Sequence, residues 1–213
     1  MTLAVLIEAG RTRTFASALD WPGWSRAASS KLGAAGALDA LDAYRERYAE
    51  VLARRDVATP TGRLRVVETV PGDATTDFGA PSQVAEADRR ALMATERVRL
   101  ARILEASWAR FDEVAAVTGA LRPGPRGGGR SVDKMAAHVA GAEAAYARKL
   151  GLRAAAREDP ASVCALRAQL VDVITAARLP DREGAWPLRY GARRIAWHVL
   201  DHLFEMQDRS IVA

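Results

Sequence analysis

Histidine is scarce in this chain of 213 residues, and its placement points to chemistry. The three histidines are His138, His198 and His202, and the last two stand four residues apart in "RRIAWHVLDHLFEMQDR". The apolar spacing of this segment predicts a helix, on which residues four apart lie about 6 Å from each other on one side. Two imidazoles so placed can bind one metal ion. The zinc-protease motif is excluded, because Val199 stands where that motif needs a glutamate.

Polar residues share the side of the helix that carries these histidines. Asp201 or Glu205 could orient an imidazole or act as a base, and Arg194 could bind an anionic substrate; for each, an ordinary surface role is the alternative. Titratable residues at the edge of the apolar stripe favour a wet cleft over a sealed core. Trp197 and Phe204 lie on the other flank, where another helix, the N-terminal domain or a second subunit could cover them.

His138 belongs to a different predicted helix. Ser131 is the expected N-cap of that helix and Gly151 its C-terminal stop. Small residues, Gly141, Ala142 and Ala145, leave space beside the imidazole. The residues alone leave two interpretations open, a metal ligand or a histidine satisfied by a buried hydrogen bond.

The elements that must position these histidines fall into two groups. Residues 1–70 predict a small α+β domain with a strand at 3–9, one or two further strands, a helix over 33–56 and a strand at 63–70. Residues 71–85 are loop-like and predict a linker. Residues 86–213 predict four helices, over 87–117, 131–151, 159–179 and the final segment, which is typical of a four-helix bundle.

Composition excludes several classes of protein. The 31 basic residues against 26 acidic ones are scattered instead of forming a basic patch interleaved with aromatics, so no nucleic-acid partner is expected. No apolar run reaches the ~20 residues of a membrane-spanning helix. The single cysteine, Cys164, cannot form an internal disulfide, which favours a cytoplasmic location, and its apolar neighbours predict a packing role.

The four predicted helices, with "KMAAHVAGAE" on the second and "RRIAWHVLDHLFE" on the fourth, resemble the DinB/YfiT-like superfamily over about residues 86–209. In that family a histidine of the second helix and a His-x-x-x-His pair of the last helix form a metal site. The resemblance therefore implies that His138, His198 and His202 are the ligands. Three nitrogen ligands leave a coordination position open, as in catalytic sites, and imidazoles accept Zn, Ni, Fe or Cu.

The resemblance also implies an activity. We expect a metal-dependent hydrolase or thiol S-transferase that acts on a small molecule in metabolism, detoxification or stress response, with a low-molecular-weight thiol as the co-substrate in the second case. The alternative is a non-enzymatic binding or assembly protein with a structural or vestigial metal site. Relatives of this kind suggest a homodimer, by analogy alone.

A glycine-rich loop and the N-terminal segment also have features that suggest a role. The loop "GPRGGGR" precedes the His138 helix, and its Arg126 and Arg130 could contact an anionic cofactor or substrate; a mobile connector is the alternative. The N-terminal segment, with its Pro-Gly turn in "DWPGW", resembles the HicB-like fold. That resemblance implies an interaction or dimerisation module, which could border the metal cleft.

Overall fold

The computed structural model describes residues 2–123, 129–177 and 184–211. Its N-terminal part is a four-stranded sheet, and helices follow, so the α+β layout expected from the sequence is confirmed. The strands are β1 (Thr2–Ala9), β2 (Arg13–Ala18), β3 (Ser25–Ser29) and β4 (Arg63–Pro71). Their order is β3-β2-β1-β4, in which β1 pairs antiparallel with β2 and parallel with β4.

The central strand β1 is covered on both faces, which explains its unbroken apolar run "LAVLI". Leu3, Val5 and Ile7 face the main core between the sheet and the helices. Leu6 points the other way and packs with Leu19 and Ala85. The central part of the sheet is therefore covered by helices on one face and by the segment around residue 85 on the other, whereas the edge strand β4 is mostly exposed.

The helix expected over 33–56 is two helices, α1 (Gly33–Ala43) and α2 (Arg45–Leu52). At Tyr44 the backbone leaves the helical region, with φ −94° and ψ 2°. The indole Nε1 of Trp24 donates to the carbonyl of Leu41 at 2.8 Å, a carbonyl that a continuous helix would use for Arg45. This contact with the sheet accompanies the break, and periodicity alone cannot reveal it.

The segment predicted as a linker, 71–85, is not a simple loop. It contains a short helix, α3 (Ala74–Phe78), capped by the side chain of Asp73. The buried carboxylate of Glu8 on β1 accepts hydrogen bonds from the backbone N–H groups of Ser82 and Gln83, at 3.0 and 3.1 Å, and from the hydroxyl of Thr76. These bonds fasten the segment to the sheet.

Four long helices follow: α4 (Ala94–Val117), α5 (Val132–Lys149), α6 (Pro160–Ala176) and α7 (Leu188–Arg209). The N-caps Ser131 and Asp159 and the proline in the first turn of α6 are as predicted. The helix expected from residue 87 begins only at Ala94: Glu86–Arg89 form a short 3-10 helix, and at the start of α4 the carboxylate of Glu96 accepts the N–H of Met93 at 2.8 Å.

Helix α7 joins the two parts of the protein. It packs against α4 and α5 on one side and approaches the sheet module on the other, and one continuous apolar core includes residues of β1, β2, α1, α4 and α7. The turn after β2 lies so close to α7 that a Cβ at Gly23, where φ is +88°, would stand 2.6 Å from Leu200. A side chain there would be strained by the positive φ and would displace the Leu200 side chain.

The structure bears on the position of Cys164 and on membrane-spanning helices. Cys164, predicted to pack in the interior, is exposed on α6, because its helix buries only Leu170 and Ile174 completely. Among the helices in the described parts of the chain, none combines the length and the apolar character needed to cross a membrane.

Candidate metal centre

Helices α5 and α7 run antiparallel and bring the three histidines together. His138 meets His198 and His202, while Tyr146, farther along α5, meets His198 from the other end. The Nε2 atoms of His138 and His198 lie 3.2 Å apart, and each of the three rings offers a nitrogen within 4.8 Å of the others. His198 and His202 are buried, and His138 is partly exposed. The expected convergence of the three imidazoles is therefore present.

Glu205 holds the ring of His202. Its Oε2 lies 3.0 Å from Nδ1 of His202, and its other oxygen accepts from Arg209, whose Nε donates to the carbonyl of Arg122 at 2.8 Å. Burial raises the pKa of Glu205, but the hydrogen bonds with His202 and Arg209 outweigh it and bring this pKa below 4.5. A carboxylate on Nδ1 fixes the tautomer and leaves Nε2 for an ion.

The surroundings keep the other two imidazoles neutral. Burial and the charges of neighbouring groups lower the pKa of His198 to about 2, the neighbours being His202, His138 and Arg194. Burial and the charge of Arg130 also lower the pKa of His138. Both rings are therefore unprotonated at neutral pH, which is the form that binds a metal.

The donor set fits a divalent transition-metal ion. Three imidazoles from two helices are a common ligand set for zinc and its neighbours, and a carboxylate already orients one of them. The Nε2 atoms of His138 and His198 lie at hydrogen-bonding distance, 3.2 Å, so one neutral ring can donate to the other, whereas the buried Nδ1 of His198 is left without a partner among the described residues.

Arg194 and three aromatic rings border the cluster. The guanidinium lies 5.5 Å from the ring centre of Tyr146 and 4.8 Å from that of Trp197. Tyr146 also stands against Trp186, at 5.3 Å between ring centres. Arg194 is thus placed one helical turn before His198, between α5 and the side of α7 that faces the sheet.

The sheet supports this wall. Trp197 packs edge-on against Phe15 of β2, at 6.3 Å, and against Ala80. Phe204 packs against Tyr44 and lies under the guanidinium groups of Arg26 and Arg47. Of the three partners considered for Trp197 and Phe204, the N-terminal part of the chain is the one that covers them.

The remaining predicted residues have different positions. Asp201 points to β3, where its carboxylate lies 3.5 Å from Arg26, and its side chain is 41% exposed. Among the described residues Asp201 makes no hydrogen bond with a histidine; burial raises its pKa, and the charges of Arg26 and His202 oppose this rise. Orientation of an imidazole therefore falls to Glu205. Arg130 is close enough to affect the pKa of His138. Arg126 lies outside the described residues.

Sequence analysis missed Tyr146 and Trp186. Tyr146 stands at the edge of the α5 stripe that carries His138, so its spacing gave a weak signal. Trp186 precedes α7 in a segment without periodicity, and the N–H of this residue donates to the carbonyl of Lys149 at 2.9 Å. This contact with α5 and the packing of its ring against Tyr190 of α7, at 4.8 Å, place it beside Tyr146.

Comparison with known proteins adds no relative. No protein-family model matches the chain, and neither a curated protein nor a solved structure matches it. The centre must therefore be interpreted from its own geometry.

Proposed function

We propose that this protein is a metal-dependent enzyme with a DinB-like four-helix bundle, α4 to α7, whose centre is His138, His198 and His202. The observation that carries the proposal is the convergence of three imidazole nitrogens from two antiparallel helices within 4.8 Å. The ligand type favours Zn, Ni or Fe. The proposed reaction is hydrolysis or thiol S-transfer on a small molecule, with a low-molecular-weight thiol as co-substrate in the second case.

The residues of the chain have separate roles in this proposal. His138, His198 and His202 hold the ion, and Glu205 with Arg209 keeps the ring of His202 in one orientation. When bound, a divalent ion with an open position lowers the pKa of a water or a thiol and polarises a carbonyl. Tyr146, Trp186 and Trp197 exclude water from one side of the centre.

A metal and activity assay tests the proposal. The full chain, produced without a histidine tag, is assayed for bound metal and then incubated with activated esters and with an electrophile plus a thiol. Product formed without thiol identifies a hydrolase, and metal-dependent consumption of the thiol identifies a transferase. His202→Ala must abolish either activity, while Asp201→Asn, which changes a neighbouring carboxylate that contacts Arg26 instead, keeps it.

The same preparation tests the alternative, a non-enzymatic protein with a structural or vestigial site. One observation favours it: His198 and His202 are each only 8% exposed. In that case removal of the ion with a chelator lowers the melting temperature sharply and no substrate is consumed. In the enzymatic case the chelated protein stays folded and loses activity.

A further inference from the structure

Strand β4 is an open edge of the sheet. Among the described residues it pairs with β1 on one side and with no strand on the other, so part of its backbone N–H and C=O groups face outward. The strand is nine residues long and mostly exposed. An edge of this length is a template for a further strand unless charge or shape prevents the pairing.

The register of β4 is irregular at its centre. Val5 of β1 pairs with Val66, and the next residue of β1, Leu6, pairs with Glu68, so Val67 is an extra residue on β4. The side chains of Val66 and Val67 are 37% and 46% exposed. Two adjacent valines therefore stand partly exposed at the middle of the open edge.

This irregularity places two opposite charges on one face of the sheet. Residues that pair across neighbouring strands share a face, and Arg65 pairs with Ala4. Glu68 pairs with Leu6, which lies on the same face of β1 as Ala4. In a regular strand, residues three apart would point to opposite faces. The carboxylate of Glu68 also accepts the N–H of Glu86 at 3.0 Å, which holds it in place.

A second copy of β4, placed antiparallel on this edge, is complementary to the first. A two-fold axis between Val66 and Val67 sets Arg65 of one copy opposite Glu68 of the other, and symmetry repeats this pair on the other side of the axis. The valines of the two copies meet around the axis. The paired region then covers residues 63–70 of each copy, which is nearly the whole strand.

The open edge lies on the side of the sheet away from α7. That helix, which carries two of the three histidines, contacts the other half of the sheet: Trp197 packs on Phe15 of β2, and Asp201 pairs with Arg26 of β3. In the strand order, β4 is at the opposite edge from β3. A second copy on β4 therefore does not touch the strands that support α7.

We propose that β4 is the interface of a homodimer, in which two copies pair antiparallel through this strand and Arg65 of each faces Glu68 of the other. A second copy fits better than an unrelated strand because the complementary charges are those of β4 itself. Main-chain hydrogen bonds between the two edges supply affinity, and the charge pairs fix the register. The inference is independent of the proposed function, since the interface contains no residue of the metal centre.

Sedimentation velocity over a range of concentrations tests the proposal. The wild type should dimerise. Arg65→Glu sets two carboxylates opposite each other on both sides of the axis and should weaken the dimer about thirtyfold, as two cross-strand pairs change from attraction to repulsion. Arg63→Glu is the matched control, since Arg63 faces Val70 in this register, and it should change the dissociation constant by less than about threefold.

An equimolar mixture of Arg65→Glu and Glu68→Arg is the sharpest test. Each variant alone places like charges opposite each other, but in the mixture every charge of one variant faces its opposite in the other. The mixture should therefore form a heterodimer with close to wild-type affinity, although each variant by itself dimerises weakly. This outcome requires the proposed register and does not follow from a general loss of stability.

A wild-type chain that stays monomeric up to about 1 mM would overturn the proposal. A mixture that stays monomeric would do the same, as would a dimer that Arg63→Glu weakens more than Arg65→Glu does. If a variant does not fold, hydrogen exchange of the wild type decides. The amides of residues 63–70 should exchange more slowly as the protein concentration rises, and rates that do not depend on concentration would contradict the interface.

Discussion

Glu8 on β1 and His198 on α7 are both buried side chains that need polar partners, and the chain treats them differently. The carboxylate of Glu8 receives two backbone N–H groups and the hydroxyl of Thr76, all from the segment that follows β4. Nδ1 of His198 has no partner in the described parts of the chain, and its Nε2 faces another imidazole nitrogen. We interpret the complete set of bonds at Glu8 as structural, and the unpartnered Nδ1 of His198 beside two other imidazoles as consistent with the proposed metal centre.

The contrast teaches how to separate structural from functional polar groups. Around Glu8 every donor is complementary to the charge, so the cluster is complete without any further component. Around the histidines, Glu205 orients the ring of His202, and burial together with neighbouring positive charges lowers the pKa of His198 and of His138. The three rings offer nitrogens within 4.8 Å of one another. Four substitutions test this difference, and they are given from the largest expected effect to the smallest.

Removal of one ligand has the largest effect. We expect His202→Ala to weaken metal binding on the order of a thousandfold, since zinc binding worth roughly 10–16 kcal/mol is shared among about four ligands. Competition with a fluorescent chelator measures it. Asp201→Asn is the control, and its affinity should stay within about twofold because Asp201 contacts Arg26 and not a ligand. Equal affinities for the wild type and His202→Ala would contradict the proposed ligand set.

Loss of the Glu8 charge should change the stability of the fold and not the affinity for metal. Glu8→Gln places an amide donor against the N–H groups of Ser82 and Gln83, and we expect a loss of about 2–3 kcal/mol in the free energy of unfolding. Urea denaturation measures it, with the exposed Glu50→Gln as a control that should change by less than about 0.5 kcal/mol. Metal affinity should not change. An unchanged free energy of unfolding in Glu8→Gln would show that the hydrogen bonds to Glu8 do not stabilise the fold.

The carboxylate that orients His202 should have an intermediate effect. Glu205→Gln keeps the size of the side chain but weakens its hold on Nδ1, and we expect metal affinity to fall roughly tenfold. The same chelator competition applies, again beside Asp201→Asn. If the two carboxylate variants bind metal equally well, Glu205 has no special role at the centre.

The smallest effect is expected at the ion pair between Arg189 and Glu96. The hydrogen bond from Arg189 lowers the pKa of Glu96 below its ordinary value of 4.5. A lowered pKa means that the stabilisation is present above pH 4.5 and is lost as the pH falls through the lower, folded-state value. Glu96→Gln should therefore reduce stability at pH 7 by about 1 kcal/mol and flatten the acid side of the curve. Melting temperatures of both proteins at several acidic pH values measure this. If wild type and Glu96→Gln lose stability equally as the pH falls, the prediction is wrong.

Local pattern accounts for much of the fold. The apolar run of β1 and the N-caps Ser131 and Asp159 are short-range features that placed their elements correctly. The stripe of α7 predicted its end at Arg209, but the helix begins at Leu188, before the predicted start at Arg193. The break at Tyr44 and the late start of α4 depend on contacts instead. The indole of Trp24 donates to a carbonyl of α1, and the carboxylate of Glu96 accepts the N–H of Met93 just before α4.

Some features of the candidate site could be predicted from the sequence and others could not. Three histidines at the right spacing could be found from the sequence because they are the only ones in the chain. The choice between Asp201 and Glu205 could not, since both lie in one arc and Arg26, 175 residues away, decides it by pairing with Asp201.

X-ray absorption spectroscopy of the full chain loaded with one equivalent of zinc tests the central claim most directly. The account predicts a first shell dominated by imidazole nitrogens at about 2.0–2.1 Å, about three of them, with the imidazole scattering reduced by one ring in His138→Ala. A spectrum without imidazole scattering, or one that His138→Ala leaves unchanged, would contradict the account.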